Sequence, residues 1–98
     1  MKYPPLPAHV EAPGGRISVV PRQRPKADGD EVWGSWDEGS RKVEVDSSAP
    51  MRQQWKTLFH ELAHVALTDS GTDELLPEAT VEAICDAFAT ARMRERFG

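Results

Sequence analysis

The sequence predicts an α+β fold in which a small three-stranded sheet is followed by two helices. Three observations support this prediction. The chain has 98 residues, which suits one domain. Its first half carries short alternating runs bounded by glycine and proline, as strands do. Its second half repeats apolar residues at spacings of three and four, as helices do, so we expect a single domain over residues 1–98.

The N-terminal half predicts an extended arm and three strands. Residues 1–15 contain four of the eight prolines and end in Gly14-Gly15, so we expect an extended arm there. Residues 17–20 form a β-type run that Pro21 should end, and residues 25–30 are predicted to be a polar loop around Asp28-Gly29. Residues 31–37 and 41–46 flank a three-residue connection with a central glycine, which predicts a hairpin.

The C-terminal half predicts two helices. Ser48 can cap the first helix, Pro50 is tolerated in its first turn, and Gly71 can end it. The second helix should run from Pro77 to about Arg96. The first helix carries an apolar stripe made by Met51, Trp55, Leu58, Leu62 and Val65.

The composition excludes several classes of protein. Apolar residues make up 39% of the chain and charged residues 29%, which is typical of folded domains rather than disordered ones. The N-terminus has no apolar signal core, and no stretch approaches the roughly 20 apolar residues that cross a bilayer, so we expect a cytoplasmic protein. The net charge of −4 argues against nucleic acid as a partner. We interpret the basic run at Arg16, Arg22, Arg24 and Lys26 as a solvated surface.

The first helix contains His60-Glu61-Leu62-Ala63-His64, which is the H-E-x-x-H pattern of zinc metalloproteases. Residues i and i+4 of a helix lie one above the other, so the imidazoles of His60 and His64 can reach one metal ion. Glu61 projects to the side where a metal-bound water would lie. The pattern therefore predicts a zinc site with Glu61 as general base, on the helix face opposite the apolar stripe.

A catalytic zinc ion usually has three protein ligands and one open position. Glu82 in the second helix is the candidate third ligand, because two histidines and one glutamate are a known set for peptide hydrolysis. Asp86 shares its helix face and can accept the other ring N–H of a ligating histidine. Glu78, one turn earlier, is a rival ligand, and Glu74 in the loop is a weaker one.

These residues resemble those of the gluzincin-type zinc metallopeptidases. An H-E-x-x-H helix followed by an E-x-x-x-D helix is the pattern of that group, and its brevity is similar to the minimal zincins, the minigluzincins and the ImmA/IrrE-type metallopeptidases of bacteria and their phages. The resemblance covers about the last half of the chain. It implies one Zn²⁺ bound by His60, His64 and Glu82, with Glu61 as general base and Asp86 as the partner of a ligating histidine. It also implies a small sheet whose edge strand binds an extended peptide substrate.

The implied reaction is hydrolysis of a peptide bond. Zinc lowers the pKa of its bound water toward about 7, Glu61 takes a proton as the water attacks the carbonyl, and the same carboxyl returns it to the leaving amine. Larger gluzincins have a Tyr or His beyond the glutamate helix that stabilises the oxyanion, whereas no such residue follows His64 here. The remaining candidates are Tyr3 and His9. We hypothesise that the arm crosses the cleft, where they assist catalysis or block the open zinc position; a disordered tail is the alternative.

Two further features of the second helix leave alternatives open. Cys85, the single cysteine, excludes a disulfide within the chain and is interpreted as a packed apolar residue, with a fourth zinc ligand as the alternative. An apolar stripe opposite Glu82 needs cover from the arm or from a second subunit, so a homodimer is expected. That stripe consists of Ile84, Ala87, Phe88 and Ala91.

Two functions follow from the sequence. The first is a zinc metallopeptidase that acts on a peptide or protein. The second is a catalytically silent zincin-like regulatory or binding module that keeps zinc for stability, because a domain this small gains substantially from a structural metal. Glu61 separates the two functions, since catalysis needs it and zinc retention does not.

Overall fold

The protein combines a four-stranded mixed sheet with two long helices, as seen in a computed structural model that describes residues 3–27 and 29–98. The α+β class is therefore confirmed. The strands are β1 (His9–Ala12), β2 (Gly15–Arg22), β3 (Lys26–Ala27), β4 (Asp30–Glu31), β5 (Gly34–Asp37) and β6 (Lys42–Asp46). The helices are α1 (Met51–Asp69) and α2 (Glu78–Phe97), joined by a short 3₁₀ turn at Thr72–Leu75.

The main sheet has the strand order β1-β2-β6-β5, so the expected number of three strands was wrong. Strands β2, β5 and β6 match the prediction. The additional strand is β1, which pairs antiparallel with β2. It forms within the arm because residues 8–12 contain no proline and the Pro13-Gly14 turn returns the chain onto β2. The predicted loop at residues 25–30 also contains a small antiparallel pair, β3 with β4; its Asp28 lies outside the described residues.

Strand β2 continues through Pro21, where the sequence predicted its end. It runs parallel to β6, with Pro21 opposite Val45. Ser18 donates its N–H towards β6, to Arg41 O, whereas Val19 donates its N–H to the other side, to Ala8 O. The backbone at position 21 faces the same side as the backbone at position 19, towards β1. Strand β1 does not extend as far as position 21, so a backbone N–H there would have no partner in the sheet. Proline has no N–H and is therefore tolerated at this position.

The core lies between one face of the sheet and the two helices. Alternate residues of β2 and β6 point into it, and the predicted stripe of α1 packs against them, with Trp55, Leu58 and Val65 almost fully buried. Helix α2 adds Ala89 and Met93. The periodicity therefore predicted the buried face of α1 correctly.

The ends of α1 agree with the sequence except at the N-cap. The helix begins at Met51, and Pro50 stands at the N-cap position without a side-chain cap. Ser48 does not cap it, because its N–H and hydroxyl both donate to Asp46 in the preceding turn. Gly71 follows the C-cap with φ +74°, a left-handed conformation that glycine adopts without strain.

The outer face of α2 is exposed over the predicted apolar stripe. Ile84 and Phe88 keep 40% and 42% of their surface accessible. Whether a second copy of the chain covers this stripe stays a prediction. Within the described residues, neither long helix combines the length and the apolar composition that crossing a bilayer requires.

Candidate metal centre

The polar face of α1 presents three potential ligands side by side. His60, Glu61 and His64 each offer a ligand atom, and these atoms lie within 4.8 Å of one another, a group that could hold a metal ion. The two imidazole rings have their centroids 5.0 Å apart. They are about one-fifth exposed, since the apolar face of the same helix is held against the sheet and only their outer edges reach solvent.

Helix α2 runs antiparallel to α1 and brings Glu82 and Asp86 to the two histidines. The Oε2 atom of Glu82 lies 3.2 Å from Nε2 of His60, and its Oε1 atom lies 2.8 Å from Nε2 of His64. The Oδ1 atom of Asp86 lies 2.9 Å from Nδ1 of His60. One carboxylate thus bridges both Nε2 atoms, while the other is in hydrogen-bond reach of the opposite nitrogen of one ring.

The hydrogen-bond chemistry of His60 suits a group that holds a proton or a metal ion. A neutral imidazole carries one N–H and one lone pair. If Nδ1 donates to Asp86, the Nε2 lone pair points at an oxygen of Glu82, and two acceptors then face each other. Either protonation of the ring or a metal ion between the nitrogen and the carboxylate removes that conflict.

Glu61 is the buried carboxylate of the group. Its exposed fraction is 7%, and this burial raises its pKa above the ordinary value. The neighbouring His64 and His60 oppose the shift, and the charge of Glu82 adds to it. A carboxyl group with a raised pKa beside two imidazoles is suited to taking up and returning a proton.

Strand β5 passes close to α1 next to this group. A Cβ atom at Gly34 would lie 2.5 Å from Cγ2 of Thr57 and 2.6 Å from the backbone oxygen of Glu44, so only glycine fits without a shift. Among the strands that the structure describes, β5 pairs only with β6 in this sheet, and no strand covers its other edge. A strand edge with free main-chain donors and acceptors therefore runs past His60 and Glu61.

Two cavities extend from the group in opposite directions along α1. One, of about 310 Å³, includes Trp33, Gln53, Lys56 and Asp86 in its lining. The other, of about 370 Å³, includes Trp36, His64 and Glu82. Gly34, His60 and Glu61 border both, so the candidate metal centre lies in the middle of a groove.

The structure does not bring Tyr3 or His9 to this groove. Tyr3 packs edge-on against Phe97 at the far end of α2, with 4.9 Å between ring centroids. His9 lies in β1, at the sheet edge opposite β5. The described part of the arm therefore does not cross the cleft in this conformation.

The remaining candidates lie around the group without contacting the histidines. Cys85 is fully buried with Ala63 and Val81, and burial together with nearby carboxylates raises the pKa of its thiol to about 11. Such a thiol is a packed, unreactive residue. Glu78 and Glu74 are exposed, and no ion pair within 4.0 Å joins either to a histidine in the described part of the chain.

Sequence reasoning missed the groove residues Trp33, Gly34, Gln53 and Lys56. Gly34 within a strand was a usable signal, since a glycine there often marks a close approach of another backbone or helix. The others gave no signal, because their proximity depends on how β5 crosses α1.

Comparisons of the chain with protein families, with curated proteins and with solved structures found no match. The resemblance to the minimal zincins therefore stays a prediction that depends on the residues of the two helices.

Proposed function

We propose that the protein is a zinc-dependent metallopeptidase of the minimal zincin type, with His60, His64 and Glu82 as ligands of one zinc ion. The observation that carries the proposal is the approach of both Nε2 atoms to the same carboxylate, at 3.2 and 2.8 Å. Two imidazole nitrogens and one carboxylate oxygen are a donor set of catalytic zinc, which keeps a fourth position for water or substrate.

Asp86 supports this assignment through the second nitrogen of His60. A histidine that ligates metal through Nε2 commonly donates its Nδ1–H to a carboxylate, which fixes the tautomer and the ring orientation. The 2.9 Å approach of Asp86 to Nδ1 corresponds to that arrangement. Because the donor types fit, bound zinc would supply Lewis acidity and a water of lowered pKa at this position.

In the reaction, Glu61 is the group that moves protons. Its carboxylate takes one proton from the attacking water and gives it to the leaving amine. Burial raises the pKa of Glu61 in the direction of neutral pH, and a general base transfers protons most efficiently when its pKa is near the operating pH. The open edge of β5 orients the substrate, because an extended peptide can pair with its free main-chain groups.

The alternative is a binding or regulatory module in which the metal is structural. The observation in its favour is that the contacts of Glu82 and Asp86 join α1 to α2, so a metal at this point would tie the two helices together. No role in either function is proposed for Tyr3 or His9, since both lie away from the group.

The metal content of the purified chain tests the ligand assignment. Elemental mass spectrometry of wild type should find about one zinc per chain, and His64→Ala and Glu82→Ala should lose most of it. Glu78→Ala is the matched control, since it removes an exposed carboxylate one turn away that does not contact a histidine. A wild-type chain without metal after zinc is supplied would overturn the proposal.

Hydrolysis by Glu61→Gln separates the enzyme from the alternative. If the chain is a peptidase, this isosteric change should lower kcat by about 10²–10⁴-fold while zinc content and folding stay intact. Cleavage is measured on a pool of unstructured peptides by mass spectrometry. A zinc-loaded wild type that cleaves no more than Glu61→Gln would favour the structural-metal module.

A further inference from the structure

A third cavity, of about 350 Å³, lies between the N-terminal half of α1 and the C-terminal half of α2. Its charged side chains are those of Arg52, Lys56 and Arg94, all positive; Thr90 contributes a hydroxyl, and Gly98 also lines the cavity. We call it the basic cavity. The chain as a whole is acidic, with a net charge of −4. The positive charge of this cavity therefore arises because the fold brings these three cations together.

The three cations have no partner among the side chains that the structure describes. No carboxylate of that part of the chain lies within 4.0 Å of them. The two other arginines near the end of α2 differ in this respect. Arg92 pairs with Glu95 and lies over the ring of Phe59, and Arg96 lies over Trp55. Three cations that line one concave space and form no ion pair within the described residues attract an anion to it.

Lys56 connects the basic cavity to the candidate metal centre, because it lines both this cavity and the one that borders His60. It lies one helical turn before His60, about 6 Å along α1, and Arg52 lies about 12 Å away. An extended peptide advances about 3.3 Å per residue. A substrate that runs along α1 with its scissile bond at His60 would therefore reach Lys56 after about two residues and Arg52 after about four.

We propose that the basic cavity binds carboxylates of the substrate, so that the enzyme prefers peptides that are acidic about two to four residues from the cleaved bond. This inference rests on the proposed function. A volume of 350 Å³ admits one or two side chains, and guanidinium groups bind carboxylates with two parallel hydrogen bonds. A peptide is favoured over a nucleic acid because the cavity continues a groove that borders a strand edge, and because the rest of the chain is acidic.

The test is peptide binding to Glu61→Gln, in which turnover does not disturb the equilibrium. A fluorescein-labelled peptide with a run of glutamates at one end is compared, by anisotropy at low ionic strength, with the same peptide carrying glutamines. The glutamate peptide should bind about tenfold more tightly, and the preference should fall as salt is added. Equal binding of the two peptides would overturn the proposal.

Variants locate the preference. Arg52→Gln combined with Arg94→Gln should remove it, and Lys56→Gln should reduce it. Arg16→Gln replaces an exposed cation in β2 that does not line the cavity, so it should leave the preference unchanged. Both arginines of the cavity are exposed, so their replacement should not impair folding. A preference that survives the double change, or that disappears in Arg16→Gln, would overturn the proposal.

Two further arms identify the source of the anion. Amidation of the peptide C-terminus distinguishes side-chain carboxylates from the α-carboxylate: a glutamate preference that is retained on amidation supports the proposal, and one that is lost on amidation would overturn it. A single-stranded oligonucleotide that binds more tightly than the glutamate peptide would overturn the peptide assignment. Zinc content is measured on the same samples and tests the proposed metal site. Peptide binding is measured by anisotropy, which does not require metal, so the two proposals can fail independently.

Discussion

The two ends of the α1–α2 pair are built from different chemistry. At the polar end, His60 and His64 of α1 contact the carboxylates of Glu82 and Asp86. At the aromatic end, Trp55 of α1 packs on Phe97 of α2, with centroids 5.4 Å apart, and Tyr3 closes on the same ring. At the aromatic end the two helices contact each other through apolar side chains, as in a core. At the polar end the contact is made by titratable side chains, which contribute little apolar burial.

Charge order along α2 does not by itself explain this difference. Three of its four acidic residues lie in its first half and its three arginines in its last turns, which is the order that the helix dipole favours in any stable helix. The contacts of those residues are more informative. Arg96 lies over Trp55 and Phe97, where it covers apolar surface, while Glu82 bridges the two imidazoles of the candidate metal centre. The contacts of these charged residues, rather than their order along α2, therefore distinguish the two ends.

The largest effect is expected from Asp86→Ala at the polar end. Without the carboxylate, Nδ1 of His60 loses its 2.9 Å partner, so the ring is no longer held in one tautomer and orientation. Zinc affinity should fall about 10–100-fold, as measured by competition with a chelating dye. Glu78→Ala should leave the affinity unchanged. If Asp86→Ala behaved like that control, the orientation of His60 would have another origin.

A steric change tests how much the close approach of β5 to α1, beside the polar end, contributes to stability. In Gly34→Ala the new methyl group would lie 2.5 Å from Thr57 and 2.6 Å from the backbone of Glu44, so β5 must move away from α1. We expect the free energy of unfolding to fall by about 1–3 kcal/mol in urea titration. Gly39→Ala is the control, because its nearest atom would be 3.4 Å away. An unchanged stability in Gly34→Ala would mean that the strand adjusts at no cost.

The helices and their functional faces were predictable because each depends on local spacing. The three- and four-residue repeat of α1 indicates its buried side, and the i, i+4 pairs of His60 with His64 and of Glu82 with Asp86 follow from one turn of helix. The strand at residues 9–12 was not predicted, since the surrounding prolines concealed a short proline-free segment. The basic cavity was not predictable either, because Arg52 and Arg94 are far apart in sequence and meet only through helix packing.

The aromatic end should respond in the opposite way to the polar end. Tyr3→Ala removes a half-buried ring that packs edge-on against Phe97. The free energy of unfolding should fall by about 1–2 kcal/mol, while zinc affinity should not change. Tyr3→Phe, which keeps the ring, should retain most of the stability. A loss of zinc affinity in Tyr3→Ala would contradict the separation of the two ends and would revive a role for the arm in the cleft.

The smallest effect is expected at Asp69, the last residue of α1. It lies outside both ends of the helix pair and contacts the sheet. The side chain of Arg41 donates two hydrogen bonds to Asp69, at 2.9 and 3.0 Å, and the N–H of Gly14 donates a third at 2.9 Å. These donors hold the pKa of Asp69 below its ordinary value, with the bond from Arg41 as the largest cause and that from Gly14 next.

A carboxylate whose pKa is lowered by folding stabilises the folded state at every pH above its unfolded pKa, which is about 3.9. That contribution is lost as the pH falls through the lower, folded value. Asp69→Asn should therefore melt several degrees below wild type at pH 7, and the gap should narrow below about pH 4, as followed by circular dichroism. Because acid protonates the candidate metal centre of both proteins alike, the difference between them isolates Asp69. A gap that stayed constant with pH would mean that the shape of the Asp69 side chain, rather than its charge, holds the end of α1 to the sheet.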